Sequence, residues 1–141
     1  MEAMLQTALR DDALTTTPDG FELRIGLPWI RSMPLSSVYG LAVEVDGVRF
    51  GPEDLAVHLG VRDVLAGSLP EEHGWWFVQD RLVVAGSGRV AAGAHAVSVD
   101  FQLLVPYLQA RPGSPLILPF HLEAELESGR DAVSGVARDV A

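Results

Sequence analysis

The side chains able to do acid–base, nucleophilic or metal chemistry are scattered rather than grouped. His58, His73, His95 and His121 lie on separate stretches, with no H-x-x-x-H or H-x-x-E spacing to place two ligands on one face. Ser36 and Ser37 lack the G-x-S-x-G turn that exposes a nucleophile, and no base can be assigned to activate them. Gly86-Ser87-Gly88 lacks the remaining glycine and the following helix of a phosphate-binding loop. His95 follows Gly93-Ala94 at the mouth of a strand, where closing a turn through a backbone hydrogen bond is the simplest role. His73 falls in an exposed acidic loop, and the many Asp and Glu residues read as the solvated alternation of strands. No catalytic, cofactor-binding or metal-binding residue is assigned in this chain.

Binding chemistry is better represented. In Leu27-Pro28-Trp29-Ile30-Arg31-Ser32-Met33-Pro34-Leu35-Ser36, two prolines each fix φ at about −65° and remove a backbone donor, so the segment cannot join a central strand or an ordinary helix. Trp29 and Arg31 are therefore presented rather than buried by default. Trp, Met and Arg are enriched at buried interface anchors, which makes Pro28, Trp29, Arg31, Met33 and Pro34 the candidate partner-contact residues. The competing reading is a proline-bracketed corner whose Trp plugs the end of its own barrel or sandwich, with Arg31 solvated.

The elements that must position this loop are strands. Phe21, Leu23, Ile25 and Leu27 alternate with Glu22, Arg24 and Gly26 after a Pro18-Asp19-Gly20 turn, the period-2 signature of a half-buried strand. Residues 38–50 form a hairpin about Asp46-Gly47, a dipeptide that tolerates the two positive φ values of a type I′ turn. Leu55, Val57 and Leu59 begin another strand, and Gly60 to Arg62 turn the chain toward a shorter one near Val64. Trp75-Trp76-Phe77-Val78 and Leu82-Val83-Val84 follow, and Gly86, Gly88 and Gly93 surround a loose connection. The longest strand puts His95, Val97, Val99, Phe101, Leu103 and Val105 on one face and is expected to end at Pro106. Residues 111–115 read as a linker. Phe120, Leu122, Ala124 and Leu126 then alternate as a last strand or an arm that pairs with a partner. Met4, Leu5, Ala8 and Leu9 have helical spacing. Short, closely spaced strands with Gly/Pro punctuation indicate an all-β fold, a single antiparallel β-sandwich or open barrel-like domain. It is expected over residues 1–126 with an N-terminal extension, and 127–141 as a flexible C-terminal tail.

Composition limits the partners. The 141 residues contain 19 Asp plus Glu against ten basic residues, all arginine, for a net charge of −9. Such a charge repels phosphate backbones and anionic membranes, which argues against nucleic-acid or lipid partners. No cysteine is present, so disulfides and zinc–thiolate sites are excluded, in keeping with a cytoplasmic protein. No apolar run approaches the ~18 residues of a membrane span, and no charged leader precedes an apolar stretch. At this length folding buries about 68–70% of the unfolded chain's surface, enough for one core.

The order of motifs carries a resemblance. The strand from Phe21 to Leu27, the proline-bracketed loop, Val45-Asp46-Gly47, Trp75-Trp76-Phe77, Gly93-Ala94-His95-Ala96-Val97 and Val105-Pro106-Tyr107 together resemble the small β subunit of bacterial C-glycoside deglycosidases. Trp29-Ile30 stands where that pattern has two aromatics, and Ser32 where it has glycine. The resemblance covers roughly residues 10 to 108. It implies a β-sandwich paired with a larger TIM-barrel-like α subunit in a hetero-oligomer. The α subunit would carry the divalent metal, usually manganese, and the catalytic histidine. Implied substrates are 3-oxo-C-glucosides of aromatic aglycones, cleaved by elimination: the C3 ketone acidifies the C2 proton, a base removes it, and the aromatic carbon leaves as it is protonated. A C–C bond needs this activation because it offers no bridging oxygen to protonate. A stand-alone carbohydrate-binding sandwich is the alternative, with Trp29, Trp75 or Trp76 stacking on a sugar. A small isomerase-like barrel using His95 is a third.

Overall fold

A computed structural model describes residues 8–29, 31–88, 90–91 and 93–128, and the backbone of 138–140. Twelve strands occur among them: β1 Leu14–Thr17, β2 Gly20–Gly26, β3 Met33–Pro34, β4 Val38–Val45, β5 Val48–Phe50, β6 Leu55–His58, β7 Asp63–Leu65, β8 Trp75–Trp76, β9 Asp80–Gly86, β10 Gly93–Arg111, β11 Ser114–Ser128 and β12 Arg138–Val140. One sheet runs β1-β2-β9-β6-β7, and a second runs β11-β10-β4-β5. They form an antiparallel sandwich and do not close into a barrel. β3 and β8 make a separate two-stranded ribbon.

Period-2 patterning fixes which face each strand buries. Phe21, Leu23 and Ile25 from one sheet meet Val97, Val99, Phe101 and Leu103 from the other in a single core. The hairpin over 38–50 is present, with Asp46 at φ 50° and Gly47 at φ 84°, the two positive values a type I′ turn requires. On the outer face of the first sheet, Arg24 donates to Thr15 Oγ1 at 3.1 Å and to Glu22 Oε1 at 3.2 Å. His58 continues the row, 3.2 Å from Glu22 and 2.6 Å from Asp63.

Several boundaries differ from expectation. β10 passes through Pro106 to Arg111, because the ladder shifts register between Val105 and Gln109, and a proline is tolerated where pairing is interrupted. Residues 111–115 are not a linker: Arg111 pairs with Ser114 around Pro112-Gly113, with Gly113 at φ 82°. β11 runs on to Ser128, and β12 pairs in parallel with Asp80–Leu82 of β9. β1, which sequence patterning did not single out, pairs with β2 across the Pro18-Asp19 turn. Of the helical-spacing residues, Met4 and Leu5 lie outside the described residues, whereas Ala8 and Leu9 are buried.

Candidate partner-docking surface

The β3–β8 ribbon ties the proline-bracketed loop to the Trp75-Trp76 segment. Met33 pairs with Trp76 and Pro34 with Trp75. Leu35 N–H donates to the Gly74 carbonyl at 3.0 Å, and Val78 N–H donates to Ser32 Oγ at 2.8 Å. Neighbours on a strand face opposite ways, so Trp76 is fully buried while Trp75 is 51% exposed. Phe77 and Val78 follow at 43% and 47% exposed.

The five expected contact residues divide between core and surface. Pro28 is buried and Met33 is fully buried in this chain's own core, so the loop presents neither of them. Trp29 is half-buried, its ring 6.2 Å from Phe120 in an edge-to-face contact. Behind it Phe120 stacks on Phe101 at 5.4 Å, and Phe101 meets Trp76 at 5.8 Å. The Trp76 indole N–H donates to the Asp80 carbonyl at 3.3 Å. Arg31 is exposed and Pro34 half-buried. Trp29 thus packs on this chain's own Phe120 while staying partly accessible. Loop and ribbon are joined through the Met33–Trp76 and Pro34–Trp75 pairs, and they leave Trp75, Phe77, Val78 and Arg31 exposed, with Pro34 and Trp29 half-buried beside them. The sequence reading missed Phe77 and Val78, although the rule that splits Trp75 from Trp76 was available to find an outward aromatic here.

His95 and His121 are each held between two acceptors. His95 is held between Asp46 Oδ2 at 2.5 Å and the Ala91 carbonyl at 2.6 Å. Both partners are acceptors, so the ring is best satisfied as imidazolium. The Asp46 carboxylate, then the Ala91 carbonyl, hold the His95 pKa above its ordinary value, and His95 with the Ala96 N–H holds Asp46 below its own. Closing a turn, the role expected of His95, is thus what it does, with a carboxylate as well as a carbonyl. His121 sits between Glu123 at 2.7 Å and Asp100 at 2.5 Å, and those two, Glu123 first, push its pKa up. His73 is exposed. Among the described residues no group of three or more His, Asp or Glu is placed to hold a metal ion. An open depression of about 430 Å³ is lined by Glu44, Ser98, Glu123 and Glu125, with His121 bound to Glu123 at its side. No helix among the described residues is long and apolar enough to cross a membrane.

Fold and surface define an acidic β-sandwich that exposes Trp75 and Phe77 next to its proline-bracketed loop. Comparison with known proteins identifies the family: residues 2–107 match the model of the C-glycoside deglycosidase beta subunit, and the chain belongs to that family. It is similar to a 3′-dehydrocarminate deglycosidase beta subunit from a Microbacterium species, with 37% identity over 74% of this chain and 80% of that one. A C-glycoside deglycosidase beta subunit from Arthrobacter globiformis is 31% identical over 74% of this chain and 83% of its own length.

Proposed function

We propose that this chain is the β subunit of a C-glycoside deglycosidase complex and docks on a larger catalytic subunit through Trp75, Phe77, Val78, Arg31, Pro34 and the edge of Trp29. The observation that carries the reading is the outward Trp75 on a ribbon hydrogen-bonded to the proline-bracketed loop. Large aromatics left in solvent cost free energy that a partner surface recovers. Family membership supports the subunit role.

The reaction assigned to the assembly is carbon–carbon cleavage of 3-oxo-C-glucosides of aromatic aglycones, in the cytoplasm. Its acid–base groups belong to a TIM-barrel-like α subunit, where a divalent metal, expected to be manganese, supplies Lewis acidity to the sugar ketone. This chain contributes a rigid docking face, held in shape by the Trp76–Phe101–Phe120–Trp29 aromatic row. Reconstitution tests the proposal. The purified chain with manganese should leave a 3-oxo-C-glucoside intact, and addition of the large subunit should give a co-eluting complex that cleaves it. Turnover by this chain alone, or independent elution of both chains at micromolar concentration, would overturn the reading. The exposed Trp75 also suits a stand-alone carbohydrate-binding module, which requires saturable binding of a C-glucoside to the chain by itself.

A further inference from the structure

The docking surface is too small by itself. The exposed parts of Trp75, Phe77, Val78, Arg31, Trp29 and Pro34 come to on the order of 400–500 Å², about half of the ~800 Å² per partner in a stable interface. The missing area must lie next to it on the same end of the sandwich.

The tip of the β10–β11 hairpin is in that position. β4 accompanies β10 only as far as Leu103, which pairs with Val38. Beyond that pair, residues 104–117 continue as two strands that pair with each other. The docking loop enters β4 through residues 35–37 at this same Val38 end, and Trp29 packs on Phe120 at the base of the hairpin. The ribbon therefore projects from beside the docking surface. It carries Leu108 at 40% and Ile117 at 53% exposed, with Leu104 half-exposed opposite Ile117. Val105 and its partner Leu116 still pack on the core, and beyond them the two strands run without a third, an arrangement marginally stable in water.

We infer that residues 104–117 form a second arm that lies against the same large subunit, extending the aromatic docking surface along one side. The inference rests on the docking reading above. Contact is through the face of the arm rather than its edge. β11 is the edge strand, and Pro115 and Pro119 within it lack the N–H groups that strand addition uses. That same block disfavours a second copy of this chain adding at β11. The family match ends at residue 107, so the turn and the returning strand lie beyond the matched residues.

Two variants of the full chain, titrated into the large subunit, separate this inference from the reading beneath it. The arm variant is Leu108→Arg with Ile117→Arg, and the surface variant is Trp75→Ala with Phe77→Ala; melts of each chain alone control for folding. At least tenfold weaker association of the arm variant, with its melt unchanged, supports the arm. Hydrogen exchange on the wild-type chain gives a readout without mutation: amides of residues 104–117 should slow at least tenfold in the complex. Unchanged arm affinity and unchanged exchange overturn the arm, and the docking reading then survives if the surface variant is weakened. If only the arm variant is weakened, the arm contacts the large subunit but the aromatic surface does not, which overturns the docking reading and, with it, the arm as an extension of that surface. Failure of the wild-type chain to form any complex overturns both.

Discussion

His95 reaches Asp46 across the sheet, Nδ1 to Oδ2 at 2.5 Å, and so joins the Asp46-Gly47 hairpin turn to the start of the longest strand. Asp46 Oδ1 accepts from the Ala96 N–H at 2.9 Å, and the Asp46 N–H donates to the Ala96 carbonyl at 2.8 Å. His95 Nε2 and Ser128 Oγ both donate to the Ala91 carbonyl, each at 2.6 Å. Two of the motifs that carried the family resemblance are thus one clamp.

The clamp makes stability pH-dependent with a definite sign. His95 has its pKa raised from 6.5, so its contribution is complete below that value and is lost as pH rises through the folded-state pKa. Asp46 has its pKa lowered from 3.8, so its contribution is present above that value and is lost as pH falls through the folded-state pKa. The clamp should stabilise most between about pH 4 and 6.5. Thermal melts of wild type and His95→Gln should differ most in that window, and the difference should shrink as the pH rises above it. Parallel curves throughout would show that the clamp does not titrate.

Arg81 is only 2% exposed and donates through Nη1 to Asp12 Oδ1 at 2.8 Å. Asp12→Ala removes one charge-assisted hydrogen bond from this buried guanidinium, which should cost about 1.5–3 kcal/mol in urea unfolding. A loss below about 0.5 kcal/mol, as at ordinary surface sites, would contradict the pairing.

A Cβ at Gly20 would lie 2.0 Å from the Gly86 carbonyl oxygen and 2.9 Å from Ser87 backbone atoms. Backbone cannot rotate away as a side chain can. Gly20→Ala should therefore lower stability by about 3 kcal/mol, at the upper end for overpacking, as read by chemical denaturation. An unchanged midpoint would mean that β2 and β9 are not this close.

Much of the scaffold is legible locally. The 38–50 hairpin follows from Asp46-Gly47, and the inward face of β10 follows from alternation of Val97, Val99, Phe101 and Leu103. Trp75 and Trp76 must split because they are neighbours on a strand. Long-range pairings are not legible in this way. Asp46 and His95 are separated by 49 positions and Asp12 and Arg81 by 69, and nothing in the local pattern of one residue points to the other. The joining of Met33 to Trp76 is of the same kind, and it is what buries Met33. Proline-rich composition misled at Pro106 and at residues 111–115, where a register shift and a tight turn accommodate residues that ordinarily end strands.

Residues beneath and on the docking loop should behave oppositely. Met33→Ala opens a cavity in the core and should cost about 2–5 kcal/mol of stability. Arg31→Ala should change stability by less than about 0.5 kcal/mol while weakening association by about 2 kcal/mol, the scale of an interface anchor. Melts of each variant alone, with titration into the large subunit, measure both. A large stability loss at Arg31 would place that side chain in the scaffold instead.

The most direct test of the docking account is a calorimetric titration of Phe77→Asp into the large subunit beside the wild-type chain. Phe77 is 43% exposed, so the variant should fold with a nearly unchanged melting temperature. Burying the new carboxylate against an apolar partner should weaken association roughly 100-fold, the scale of a central interface anchor. Wild-type affinity in the variant would contradict the assignment of this surface.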